Sequence, residues 1–326
     1  MNTTNANVRY QLAPQFADVE RQSYEWRAYV MRQGSSNYRS TSLNTDECGF
    51  RVCIANGHHI SLGEFHDVKN IKKGIVIGNS SIFGVGTSSD HGTVSNRLNA
   101  TDTNGILWYN LGLRASNMTQ ERIASELYAP KEIEYFAWIS GGNDMVAMHL
   151  GLGGNRYSPP FIGEPAYLKT MNGVSEISQE LGRDIEKKYH LLLGAVEREI
   201  ELVSLYRRSL GARVLFCMQP MLSWVDKVLS VEETQLVGYF DSVQNNIHRV
   251  HAQNIMRPWY DRYTKAIENI CRRCAVDYLD FNTHPGFRGP DWMFIDRIHV
   301  TDRAHAIMAE TVNEWSNKMN YSHFTK

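Results

Sequence analysis

The feature that most limits how this 326-residue chain can fold is an alternation that recurs along most of its length. Lys73-Gly-Ile-Val-Ile-Gly78 is a short apolar run with β-branched residues that stops at a glycine, as a strand buried on both faces does. Residues 106–111, 133–139, 213–218 and 276–281 read the same way. Between them lie helical patterns over 120–128, 176–210 and 235–274, the last with a break expected near Pro258. A closing helix over 302–319 has Thr301 as its expected N-cap. Strands alternating with helices imply an α/β fold, a parallel sheet covered on both faces by right-handed crossovers. In open sheets of this kind ligands bind beyond the carboxyl ends of the strands, so the residues just after each strand are the informative ones.

After the first strand comes Gly78-Asn79-Ser80-Ser81-Ile82-Phe83-Gly84. A hydroxyl here sits at the sheet edge near the amino end of the next helix, where backbone N–H groups favour developing negative charge. Ser80 alone has a plain alternative as a helix N-cap. The second strand closes on Asn110-Leu-Gly112, and the third on Ser140-Gly-Gly-Asn143-Asp144, which offer a backbone N–H and a neutral side-chain amide to an oxyanion.

Near the end of the chain stands Asp296-Arg-Ile-His299, in the turn before the last helix. This spacing lets the carboxylate hold one ring nitrogen while the other faces a nucleophile. Asp302 and His305 repeat it, but His305 falls in the body of the helix, whereas His299 lies in the loop layer. His299 is therefore the preferred base.

The charges, 34 Lys plus Arg against 35 Asp plus Glu, create no net field toward nucleic acid or anionic lipid. Lys72-Lys73 and Arg207-Arg208 read as solvated faces. No stretch approaches the ~20 apolar residues of a membrane span, and residues 1–15 lack a signal-peptide core, so the expectation is a cytoplasmic protein without a membrane span. Five cysteines do not read as a disulfide framework. Cys48 and Cys53 with Cys271-Arg-Arg-Cys274 make a zinc site conceivable, but reduced buried thiols are the better reading, and neither metal nor cofactor is expected. No G-x-S-x-G elbow, P-loop or G-x-G-x-x-G is present, and the glycines of Gly151-Leu-Gly-Gly154 do not form one.

Four elements in this order resemble the SGNH/GDSL hydrolases: Ser80 in Gly-Asn-Ser-Ser, Gly112 in Asn-Leu-Gly, Asn143 in Gly-Gly-Asn-Asp, and Asp296 with His299 in Asp-Arg-Ile-His. The likeness spans about residues 73–320. It implies a three-layer α/β/α sandwich around a central, mostly parallel, flavodoxin-like sheet of five strands, occupying 71–326. Residues 1–70 would form an N-terminal extension or small appended subdomain, in which Gly49-Phe50-Arg51 resembles a sequence found in larger members.

The resemblance further implies acyl transfer through an acyl-enzyme on Ser80, with His299 as base and Asp296 orienting it. The oxyanion would be held by the N–H groups of Ser80 and Gly112 and the amide of Asn143. One departure is Asn79, where the family usually has aspartate; the expected consequence is altered local hydrogen bonding with the chemistry intact. The substrate expectation is an acetyl or other short acyl ester of a carbohydrate or small metabolite. Acyl transfer to an alcohol or amine is the alternative, and a non-catalytic binding module the rival from another class. Residues 145–173 and 221–234 are expected to wall the pocket, while Trp224, Trp259 and Trp292 are read as core rather than sugar platforms.

Overall fold

The computed structural model describes residues 3–101, 104–149, 184–243, 249 and 252–318. The chain opens with helices α1 (Thr3–Leu12) and α2 (Phe16–Arg21), the strands β1 (Tyr24–Arg27) and β2 (Met31–Gly34), then β3 (Cys53–Ala55), β4 (His58–Ile60) and α3 (Leu62–Asp67). It continues through β5 (Lys72–Gly78), α4 (Ser80–Phe83), α5 (Val94–Thr101), β6 (Ile106–Asn110), α6 (Met118–Tyr128), β7 (Tyr135–Ser140) and α7 (Gly142–His149). The second half holds α8 (Ile185–Ser209), β8 (Arg213–Met218), α9 (Val231–Val243), α10 (Arg257–Arg273), β9 (Asp277–Asp280), α11 (Pro285–Arg288) and α12 (Asp302–Asn317).

The five expected strands form one sheet in the order β6-β5-β7-β8-β9, and each neighbouring pair is parallel. Ile75 at its centre pairs with Tyr109 on one side and Phe136 on the other. Counted along the sheet's own strands this is the order 2-1-3-4-5, whose growth reverses between β5 and β7. The crevice at that reversal is where doubly wound sheets take their ligands.

Alternation along the strands makes three layers. Ile75, Ile77, Tyr109, Phe136, Trp138 and Phe216 face residues of α6, α8 and α10, among them Ala124, Val196 and Ile267. Val76, Trp108, Ala137, Ile139 and Leu215 face the other way, onto Leu98 of α5 and Met308 and Val312 of α12. Each such side chain contributes roughly 1.5–3 kcal/mol when fully buried, so both faces of the sheet are held by the same hydrophobic term.

Helix α8 begins at Ile185, and the part of its expected range before residue 184 lies outside the described residues. The 235–274 pattern resolves into α9, a single π turn at Ala252–Met256 and α10, with Pro258 in the first turn of α10, where its missing N–H costs nothing. Thr301 occupies the N-cap position of α12 without capping; its hydroxyl donates to the Trp292 carbonyl at 3.1 Å.

Two surface expectations are corrected. Lys73 is buried and its ammonium donates to the His66 carbonyl at 2.8 Å. Arg207 is buried too, donating to the carbonyls of Ser125 and Pro130 with its guanidinium 5.4 Å from the Phe136 ring. Both long side chains extend from strand or helix ends into carbonyl-rich corners, which local sequence does not reveal.

Residues of the N-terminal segment enter the cores of the rest of the chain. Val30, Phe50, Cys53, Leu62 and Phe65 belong to the same cluster as Ile75 and Tyr109. Ala13, Phe16, Val19 and Leu43 pack with Phe83 and Val85 after α4, Leu236 of α9 and Ile295. Arg51 is fully buried, ion-paired with Asp90 and donating to the Ser42 and Gly84 carbonyls. A buried charge is tolerable only when paired and hydrogen-bonded this completely.

Candidate active site

Strand β5 ends at Gly78, and the next residue, rather than Ser80, supplies the helix cap. Asn79 is the N-cap of α4: its Oδ1 accepts the Ser81 N–H at 3.0 Å. Ser80 is consequently the first residue of the helix, with its hydroxyl free of capping duty. Its N–H is among those a helix cannot satisfy internally. Asn79 Nδ2 in turn donates to Oε1 of Gln219, just after β8; both side chains are fully buried.

The Ser80 hydroxyl meets a histidine from the far end of the chain. Ser80 Oγ and His299 Nε2 are 2.8 Å apart, and His299 Nδ1 lies 2.7 Å from Asp296 Oδ2. The other carboxylate oxygen of Asp296 accepts the N–H groups of Ile298 and His299, each at 2.7 Å, so the turn itself aims the acid at the ring. Burial would raise the Asp296 pKa, but His299 and these two N–H groups outweigh it and hold the carboxyl down at about 2. The side chains of His299 and Asp296 stay 18% and 14% exposed, so the relay is reachable from solvent.

The alternative pair is not assembled. His305 lies in α12 with 0% exposure, and neither ring nitrogen has a partner among the described residues. Burial, with Arg97 and Arg51 nearby, lowers its pKa to about 3 and keeps it neutral. Asp302 instead accepts from the N–H and hydroxyl of Ser88.

The loop that follows β6 packs against α4, the helix that Ser80 opens. The N–H of Gly112 donates to Asn110 Oδ1 at 2.8 Å, while Asn110 Nδ2 donates to the Ile82 carbonyl at 2.8 Å. A Cβ at position 112 would stand 2.3 Å from the Phe83 nitrogen, so α4 passes too close for any residue but glycine. Asn143, in the first turn of α7, is buried and donates from Nδ2 to the Ser116 carbonyl at 2.7 Å, leaving its second N–H without an acceptor among the described residues.

Behind Asn143 lies a buried acidic network. The Ser116 hydroxyl donates to Glu121 Oε1 at 2.9 Å, and Trp138 Nε1 donates to Glu121 Oε2 at 2.7 Å. Burial pushes Glu121 up to about 7 and Asp144, with Glu121 near it, up to about 8. Asp144 accepts the Met118 N–H, which ties α6 to α7.

Several supporting residues had no signal of their own in the sequence. Arg297, between acid and base, forms a two-pronged ion pair with Asp241 of α9 at 3.1 and 2.7 Å. Glu233, two turns earlier on α9, accepts the N–H groups of Met293 and Phe294 at 2.9 and 3.0 Å. The one available hint was the spacing of eight between these acids, which places both on one helix face. Trp224 is buried and stacked on Tyr260, while Trp259 and Trp292 pack against two of the hydrophobic clusters. Residues 150–173 of the expected pocket wall lie outside the described residues, whereas the 221–234 wall reaches the site through the Leu222 N–H on the Arg297 carbonyl at 3.2 Å.

The thiols of Cys48 and Cys53 are pushed up by burial, to about 11 and 12. Among the described residues no group of three or more His, Cys, Asp or Glu side chains is placed to hold a metal ion. No described helix is long and apolar enough to cross a membrane.

No protein-family model matches the sequence, and no curated protein matches it. Solved structures similar to it include an extracellular lipase from Streptomyces rimosus, 12% identical over 74% of this chain and 99% of that one, with a TM-score of 0.43. An acetyl xylan esterase from Geobacillus stearothermophilus is 15% identical over 74% and 93% of the two chains, with a TM-score of 0.44. An alpha/beta hydrolase from the metagenome of Lake Arreo, Spain, is 13% identical over 74% and 93%, with a TM-score of 0.45.

Proposed function

We propose that the protein is a serine hydrolase of the SGNH/GDSL type that cleaves a short acyl ester through an acyl-enzyme on Ser80. The observation that carries this reading is the unbroken relay of Ser80, His299 and Asp296, at 2.8 and 2.7 Å, standing at the carboxyl edge of a doubly wound sheet. His299 Nε2 takes the hydroxyl proton as Ser80 Oγ attacks the ester carbonyl, and Asp296 stabilises the imidazolium through Nδ1–H. A carboxyl held near 2 stays ionised throughout the working range of such a base.

The negative charge on the tetrahedral oxygen falls to three donors. Among the described residues the Ser80 N–H at the start of α4 has no acceptor, and one Asn143 N–H is unspent beside its bond to Ser116. The Gly112 N–H must share or release Asn110 Oδ1 to take part. Each donor of this kind is worth on the order of 100- to 1000-fold in turnover. His299 then protonates the leaving alcohol, and water attacks the acyl-enzyme by the same route reversed.

The test is labelling by a fluorophosphonate probe together with a panel of 4-nitrophenyl esters of graded acyl length. Wild type is labelled at Ser80 and prefers acetyl to longer chains; Ser80→Ala folds, takes no label and loses turnover. A folded Ser80→Ala protein with full activity overturns the reading.

A further inference from the structure

The loop between Gly112 and Ser116 carries a cation whose charge nothing in the described chain answers. Arg114 donates to Gln22 Oε1 at 2.8 Å, and its guanidinium carbon lies 4.5 Å from the centre of the Tyr24 ring. A second cation, Arg32, approaches the same ring at 4.9 Å. Among the described residues neither arginine forms an ion pair, whereas Arg51 pairs with Asp90 and Arg297 with Asp241. Desolvation holds the Arg114 pKa below the usual guanidinium value, Arg32 adds repulsion, and the groups opposing them are the phenols of Tyr24 and Tyr38, which are uncharged at neutral pH.

A second observation at the same place has the same sign. Gln22 is 3% exposed, and its Nε2 has no acceptor among the described residues. The amide cannot turn round to cure this, because Nε2 would then face the Arg114 guanidinium, donor against donor. Gln22 Nε2 thus presents an N–H with no acceptor among the described residues, beside an Arg114 guanidinium that only the Gln22 carbonyl oxygen and Tyr24 meet. Pinning the β1–β2 hairpin to the loop accounts for the bond to Gln22 Oε1 and the Tyr24 stacking. It leaves the Arg32 charge unpaired among the described residues and Gln22 Nε2 without an acceptor.

We propose that Arg114 and Gln22, with Arg32 beside them, bind a carboxylate or phosphate group carried by the substrate, so that the ester cleaved at Ser80 is that of an acidic molecule. A planar fork of donors matches the paired oxygens of either group. The location suits it: Arg114 is two residues from Gly112 and two from Ser116, whose carbonyl holds Asn143 at 2.7 Å. A group clasped there lies on the loop that carries Gly112 and, through the Ser116 carbonyl, holds Asn143. This assignment rests on the serine hydrolase reading above and narrows its substrate.

The experiment uses the full chain, with succinate and inorganic phosphate as probes and 4-nitrophenyl acetate as a neutral reporter ester. In wild type both anions raise Tm and inhibit competitively. In Arg114→Gln the inhibition constants rise at least tenfold and the Tm shift disappears. The ratio of kcat/KM for 4-nitrophenyl hemisuccinate over 4-nitrophenyl butyrate also falls at least tenfold. Gln22→Leu moves the same three quantities in the same direction and stands in if Arg114→Gln does not fold. Absence of any anion effect in wild type, equal effects in wild type and variants, or purely non-competitive inhibition each overturns the proposal. Failure of the hydrolase reading is seen separately, as wild type that takes no fluorophosphonate, and the Tm shifts are read without turnover.

Discussion

Asn79 and Gln219 meet side chain to side chain beneath the nucleophile turn, joining the residue after β5 to the residue after β8 through two buried amides. Asn79 caps α4 with its oxygen and spends its nitrogen on Gln219, so both ends of the amide are used. An aspartate would cap as well but has no donor for Gln219 Oε1. Gln219 would have to rotate and take its Nε2 away from Met221 Sδ, now 3.1 Å distant. Asn79→Asp is therefore expected to keep kcat/KM within about tenfold while losing about 1–3 kcal/mol of stability, the usual cost of a disturbed buried polar group. Steady-state kinetics and urea unfolding check both numbers; a fall in activity by orders of magnitude would mean that Asn79 takes part in the chemistry.

The two histidines of the D-x-x-H repeats separate by what their removal does. His299→Ala is expected to lower kcat by at least 1000-fold with Tm nearly unchanged, since the ring is partly exposed and faces Ser80. His305→Ala should do the reverse, lowering Tm through the cavity it leaves in α12 and sparing Ser80 labelling. The folded pKa of His305, about 3, lies below its ordinary value, so its contribution to stability is present above about pH 6.5 and is lost as pH falls toward 3. Acid unfolding of His305→Leu should accordingly begin at lower pH than that of wild type. Coincident acid limbs contradict this.

Glu121 and Asp144 act on the opposite side of the pH scale. Their folded pKa values, about 7 and about 8, stand above the ordinary carboxyl values near 4. The stability they confer is complete below about pH 4 and drains away as pH rises through 7 and 8, when buried carboxylates must form. Tm is expected to fall over this interval, and Asp144→Asn to flatten the fall. Scanning calorimetry from pH 5 to 9 decides it, parallel curves for the two proteins being the unfavourable result.

Phe16 stands where the N-terminal segment touches both halves of the relay. It is buried with Phe83 and Val85 behind the nucleophile helix and Ile295 beside the acid, while its ring lies 6.1 Å from Phe240 on α9. Gln15 reinforces the contact by donating to the Gly86 carbonyl at 2.8 Å. At Gly86 a Cβ would lie 2.0 Å from the Val300 carbonyl, so the two catalytic segments are in backbone contact there. Phe16→Ala is expected to cost about 3 kcal/mol and to lower kcat more than it raises KM. A variant that is less stable but keeps the wild-type kcat would show that the contact supports the fold alone.

The sheet and its strand ends were legible because their signals are local. A β-branched run such as residues 74–78 is buried whatever lies beyond it, and the residue after it must emerge at the sheet edge. His299 and His305 were separable in the sequence for the same reason, since a cap position divides loop from helix, and it is the His299 ring that lies 2.8 Å from Ser80 Oγ. What escaped were pairings across long stretches of chain. Asn79 with Gln219 spans 140 positions and Arg207 with the Ser125 carbonyl 82, and nothing near either residue announces its partner. The packing of the N-terminal segment was not legible, because its apolar residues, among them Phe16, Val19, Leu43, Phe50 and Phe65, make a core only with residues that arrive from elsewhere.

Ser80 and His299 lie 219 positions apart, and the pairs around them reach nearly as far. A ribosome therefore releases Ser80, its helix and four strands of the sheet long before His299 exists. On the hydrolase reading proposed above, the nascent chain carries Ser80 without its base until the last tenth of synthesis. On the same reading, a protease cut between the two residues is expected to abolish turnover unless the fragments stay docked. The same separation offers a practical tool: split the chain between α9 and α10, and turnover becomes a direct reporter of whether the halves have found each other.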